Sequence, residues 1–160
     1  MGKKGFTVGE LLIVVAIIGV LVSVSIPVFA AQKKKAIIAT NKANIRAAKA
    51  AGAMAYYDPD FKTIVGATNL NHAYFKYDVK AGTLENITGS LGKIHRRYHD
   101  LARKESEKAR NYEVCDYIYI YVGESDKKGT VEAINVETAP YYEGNEVKMS
   151  TATNPFGWSK

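Results

Sequence analysis

GFTVGELLIVVAIIGVLVSVSIPVFAA, from Gly5 to Ala31, is the stretch on which the reading of this chain turns. Between Leu11 and Gln32 no residue carries a charge, and most are branched and apolar. At ~1.5 Å of rise per residue, a helix over that run reaches about 33 Å, the thickness of a bilayer's hydrocarbon core. Glu10 stands at the mouth of the run, four residues after Phe6. A carboxylate beside hydrocarbon is costly, so it marks a functional position that needs a partner. Lys3 and Lys4 precede the run, and Lys33, Lys34 and Lys35 follow it.

The net charge is +6 over 160 residues. Its placement matters more than its size. Lys33, Lys34, Lys35, Lys42, Arg46 and Lys49 fall between residues 33 and 57 with no acid among them, whereas residues 58–160 hold 14 basic and 15 acidic side chains. The basic excess therefore lies next to the apolar run, where it favours anionic headgroups. Arg96, Arg97, Arg103, Lys104, Lys108 and Arg110 form a second basic cluster, but Asp100, Glu105 and Glu107 interrupt it. No nucleic-acid partner is expected from it.

The N-terminus resembles that of a type IV prepilin. A short basic leader ends in glycine, Phe6-Thr7 follows, glutamate is fifth counted from the phenylalanine, and about twenty apolar residues come next. The resemblance covers roughly residues 1–32. It implies a leader, residues 1–5, cut between Gly5 and Phe6 by a prepilin peptidase, with Phe6 then N-methylated. It implies that residues 6–32 cross the cytoplasmic membrane once and later form the core of a filament of identical subunits. It further implies a membrane assembly platform and ATPase as partners. In such a filament the new amine of one subunit pairs with Glu10 of its neighbour, and Gly19 to Pro27 is the segment where the helix can loosen. The expected function is a structural subunit of a cell-surface pilus used in adhesion, twitching motility or biofilm formation. A pseudopilin of a type II secretion or competence system is the alternative. So is a membrane-anchored binding domain that does not polymerise.

An ordinary secretory signal is a competing account, since Val28-Phe29-Ala30 offers small residues at a cleavage position. Against it stand Glu10 inside the apolar segment and a run longer than the usual 7–15 residues. Cys115 is the only cysteine, so no disulfide can form within the chain. Many pilins carry a C-terminal cysteine pair, and this departure is compatible with a Gram-positive source.

Residues 33–160 are expected to form one globular domain of α+β class, in the pilin arrangement. The C-terminal half of the long helix packs on an antiparallel sheet of three to four strands, with a second helix in the connecting region. Ile38, Ile45, Ala48, Gly52 and Ala55 recur at helical spacing opposite Lys35, Lys42, Arg46 and Lys49. The helix is expected to end before Pro59. Residues 73–79 suggest one short strand, and 90–110 a helix with Ser90 as its N-cap and Leu91, Ile94, Tyr98, Leu101 and Ala102 on its apolar face. Residues 112–123 alternate, placing Val114, Ile118, Ile120 and Val122 on one face and Cys115, Tyr117, Tyr119 and Tyr121 on the other. That tyrosine face either forms an interaction surface or packs beneath the loop or the C-terminal tail. A turn at 126–129, strands at 130–137 and 145–151, and a tail folding back through Phe156 and Trp158 complete the expectation.

Catalysis and cofactors are not expected. His95 and His99 have i, i+4 spacing suited to a metal, but no third ligand accompanies them. Cys115 has no recognisable catalytic partner.

Overall fold

The computed structural model describes residues 5–61, 63, 72–88, 91–124 and 134–148. The chain divides into two compact units, Met1–Ala36 and Ile37–Lys160. Helix α1, Val8–Tyr56, supplies all the regular structure of the first unit and the opening helix of the second. It stops before Pro59, where the residue preceding the ring is driven out of helical geometry.

In the second unit, four strands form an antiparallel sheet: β1 (His72–Asp78), β2 (Thr83–Asn86), β3 (Tyr117–Glu124) and β4 (Ile134–Ala139). Their spatial order is β2-β1-β3-β4. A hairpin of β5 (Tyr141–Glu143) and β6 (Glu146–Lys148) follows the cis Ala139–Pro140 bond as a separate two-stranded ribbon. The architecture is thus α+β, a long N-terminal helix packed on a four-stranded antiparallel sheet.

β1 falls on the short strand expected over 73–79, but a further strand that was not expected, β2, also precedes the second helix. They form a hairpin in which Asp78 Oδ1 accepts the amides of Lys80 and Ala81, and Gly82 takes a left-handed φ of 67°. The sequence Thr83–Asn86 has a single apolar residue, Leu84, and so carries no alternating pattern of its own. The described part of the strand anticipated at 145–151 holds β6, which pairs with β5. Ser90, the turn at 126–129, residues 130–133 and 149–151 of the expected strands, and the C-terminal tail lie outside the described residues.

Each face of the sheet carries its own core. On one face, Asn41, Ile45, Ala48 and Gly52 of α1 are buried. Their apolar members meet Phe75, Ile118, Ile120 and Val122, with Ile134 and Val136 partly buried beside them. Close approach depends on Gly52. A Cβ there would lie 2.9 Å from Ile120 Cγ2 and 3.3 Å from methyls of Val122 and Val136. Gly52→Val should therefore push helix and sheet apart and cost about 1–3 kcal/mol. Urea unfolding of the full chain in detergent micelles would read this as a lower midpoint at unchanged slope.

The opposite face answers the question of the tyrosine stripe. Helix α2, Leu91–Arg110, covers it. Tyr98 and Ala102 pack with Tyr74, Tyr119, Tyr121 and Ala139, while Leu101 and Tyr117 are partly buried at the margin. Ring centroids of Tyr74 and Tyr98 are 5.0 Å apart, and those of Tyr98 and Tyr119 are 5.9 Å apart at a steep angle. These are edge-on or tilted contacts that aromatic quadrupoles favour.

Helix α2 closes with Glu113 N donating to Lys108 O and Tyr112 N to Ala109 O, the paired bonds of a Schellman end. The left-handed residue this requires is Tyr112, at φ 57°, where glycine or asparagine is usual.

Candidate functional site: the N-terminal helix and the polar junction of the globular unit

The first unit is defined by the exposure of its apolar side chains among the described residues. Sixteen large apolar side chains from Phe6 to Phe29 are exposed, Phe6 at 84%. They are distributed all around α1, and the helix is long and apolar enough to cross a membrane. At about 1.5–3 kcal/mol per side chain, leaving this surface in water would cost tens of kcal/mol. A bilayer, or other apolar helices, must cover it.

At its start the helix is capped by its own side chains. Thr7 N and Thr7 Oγ1 both donate to Glu10 Oε2, each at 2.8 Å, and Glu10 N donates to Thr7 Oγ1 at 3.3 Å. This is a capping box of the form T-x-x-E, and it satisfies amides that α1 would otherwise leave open. The pattern Thr7-Val8-Gly9-Glu10 is the sequence signal for this cap. Both donors of Thr7 meet Oε2, and among the described residues none meets Oε1, so one oxygen stays available to a second partner.

The other expected positions are simply placed. A Cβ on Gly5 or Gly19 would meet nothing within 4 Å. Pro27 lies inside α1, which continues through it. Ser23 Oγ donates to Val20 O at 2.7 Å and Ser25 Oγ to Leu21 O at 2.6 Å, the local carbonyl bonding that serine provides around a proline in an apolar helix.

Sequence reasoning missed the polar junction of the second unit. Asn41, fully buried on the sheet-facing side of α1, donates through Nδ2 to Glu113 O at 2.9 Å and to the Tyr142 hydroxyl at 3.1 Å. Its Oδ1 accepts Cys115 N at 3.0 Å. Glu105, 4% exposed, accepts Asp116 N at 2.9 Å and Tyr117 N at 3.4 Å on Oε2, and Lys108 Nζ on Oε1 at 3.0 Å. One asparagine and one glutamate thus tie α1, α2 and β5 to the segment leading into β3.

That junction explains why Cys115 does not follow the alternation of β3. The amides of Cys115 and Asp116 donate to the side chains of Asn41 and Glu105, and the strand begins only at Tyr117. Cys115 turns into the α1-side core and Val114 is left 44% exposed. Burial, reinforced by Glu105, pushes the Cys115 thiol up to about 12. It is a packed thiol with no nucleophilic character at neutral pH. Hydrogen bonds to Asp116 and then Glu105 raise the Lys108 ammonium above its ordinary range.

Among the described residues no group of three His, Cys, Asp or Glu is placed to hold a metal ion. The side chains of His95 and His99 lie outside them. No family model, curated protein or solved structure matches this chain.

Proposed function

We propose that the chain is a structural subunit of a type IV pilus, stored in the cytoplasmic membrane and then assembled through α1 into a cell-surface filament. The observation that carries this reading is one helix with two coverings. Its first part exposes apolar side chains all round behind the Gly5-Phe6 junction, and its second part is packed into an α+β domain. Cleavage between Gly5 and Phe6 frees an amine that is positive at neutral pH. Glu10 Oε1 is the acceptor that a neighbouring subunit's amine would meet, while Oε2 keeps the helix start capped. In the apolar interior that pair selects axial register as well as adding energy. A prepilin peptidase, an assembly platform and its ATPase are the partners the process requires, and the products serve adhesion, twitching motility or biofilm formation.

The test is N-terminal sequencing of the mature chain together with electron microscopy of producing cells. A start at Phe6, and filaments that vanish on deleting the gene and fall sharply in Glu10→Ala, are the expected results. A start at Ala31 would overturn the reading. Correct processing without any change in filaments would favour a pseudopilin of a secretion or competence system, or an anchored binding domain.

A further inference from the structure

The second half of α1 carries two exposed patches of opposite chemistry. The first is an open groove of about 350 Å3 between α1 and the β5–β6 hairpin, with Ile45 in its lining. Lys42, Arg46 and Lys49 line its helix side at i, i+4 and i+7, and Tyr141 and Tyr142 line its hairpin side. Lys42 Nζ is held 5.7 Å over the Tyr142 ring and 3.3 Å from Asn145 Oδ1. Arg46 and Lys49 are exposed, and no described carboxylate pairs with either. Glu146 on the hairpin is already paired with Lys148.

The second patch closes the helix. Met54 and Tyr57 are each 75% exposed, and the next residues, Asp58 and Asp60, are exposed as well. Asp58 Oδ1 accepts Asp60 N, and neither carboxylate has a described cation partner. One patch is therefore cationic and concave with aromatic walls. The other is anionic and protruding, with a thioether and a phenol ring at its centre. Three cations without a described counter-charge, facing two tyrosine rings, call for an acidic surface with an aromatic or apolar centre. This chain itself has one.

The geometry points to a head-to-tail contact between two copies of this chain, in which Met54, Tyr57, Asp58 and Asp60 of one copy occupy the Lys42–Arg46–Lys49 groove of the next. Because the two patches differ, each copy keeps one of them free after binding. Such a heterologous contact does not close a two-fold dimer, and where its rotation does not close a ring it propagates into an open fibre. The aromatic and thioether side chains supply buried area at the centre, where binding energy concentrates. The charges supply partner choice and salt sensitivity. This inference rests on the proposed filament role and names the surface that role would use.

Charge reversal tests it in cells assembling the full chain, with filaments quantified by shearing and sedimentation. Arg46→Glu/Lys49→Glu and Asp58→Lys/Asp60→Lys should each lower filament yield at least about tenfold, and combining all four changes should recover most of it. Circular dichroism of the micelle-held variants should match the parent chain, since all four positions are exposed. Unchanged yield in either single reversal, or loss in both without recovery in the combined variant, would overturn the contact while leaving the filament role standing. Absence of filaments from the parent chain would overturn both.

Discussion

Asn41→Ala should remove about 3–5 kcal/mol from the stability of the globular unit, more than any other single truncation on α1. The side chain fully satisfies three groups: the carbonyl of Glu113, the amide of Cys115 and the hydroxyl of Tyr142. Alanine leaves the buried amide of Cys115 and the part-buried carbonyl of Glu113 without this partner, and each such loss costs about 1–3 kcal/mol. Asn41→Asp separates hydrogen bonding from size. It keeps the acceptor for Cys115 N, loses the donor to Glu113 O, and adds a charge to a buried position. It should be at least as damaging as alanine. Denaturant unfolding of the full chain in micelles measures both. A change below about 0.5 kcal/mol in Asn41→Ala would mean that the junction does not hold α1 to the sheet.

The second large effect is alkaline unfolding. Cys115 is 1% exposed, and its thiol is held neutral up to about 12, against an ordinary value near 9. In the unfolded chain that thiol ionises from about pH 9, so over this window the native state binds more protons than the unfolded state. Stability must then fall as pH rises from about 9 toward 12, by up to a few kcal/mol from this group. Burial also raises the phenols of Tyr74 and Tyr98 above their ordinary range, which adds loss in the same direction at higher pH. Lys108 reinforces it: an ammonium raised by Asp116 and Glu105 contributes its full stabilisation below its unfolded pKa and loses it progressively as pH rises from there through its higher folded value. Unfolding free energies measured between pH 7 and 11 should decline steadily above 9, and Cys115→Ala should flatten the first part of that decline. A flat profile in the parent chain would contradict the burial of these groups.

Some of this was legible because local chemistry and tertiary packing agree. The end of α1 before Pro59, its apolar face through Ile45, Ala48 and Gly52, and the alternation of Tyr117–Val122 all appear in the fold as read. Elsewhere packing outranked local pattern. Thr83–Asn86 becomes a strand because β1 offers it an edge, not because its own residues favour one. Glu105 looked like a break in a solvated basic face, yet it lies on the stripe Tyr98, Ala102, Glu105, Ala109 that faces inward. Asn41 interrupts the stripe of Ile45, Ala48 and Gly52 in the same way. A polar residue standing on an apolar helical stripe is the signal that would have found both. It marks a place where backbone from another element arrives without a ladder partner. Nothing in the sequence says which segment that is, because Asn41 and Cys115 are 74 positions apart.

The central pairing of the sheet joins His72–Asp78 to Tyr117–Glu124, with a hairpin and a whole helix between them. Pairings of such long sequence separation close slowly, since chain entropy must be surrendered before the contacts exist. During synthesis, the residues of α1 that seat on this sheet emerge long before β3 does. For that interval Ile45, Ala48 and Gly52 have no surface to rest on. The nascent chain therefore passes through a stage in which both halves of α1 are uncovered. A holdase acting on the chain would have its greatest effect on yield at that stage.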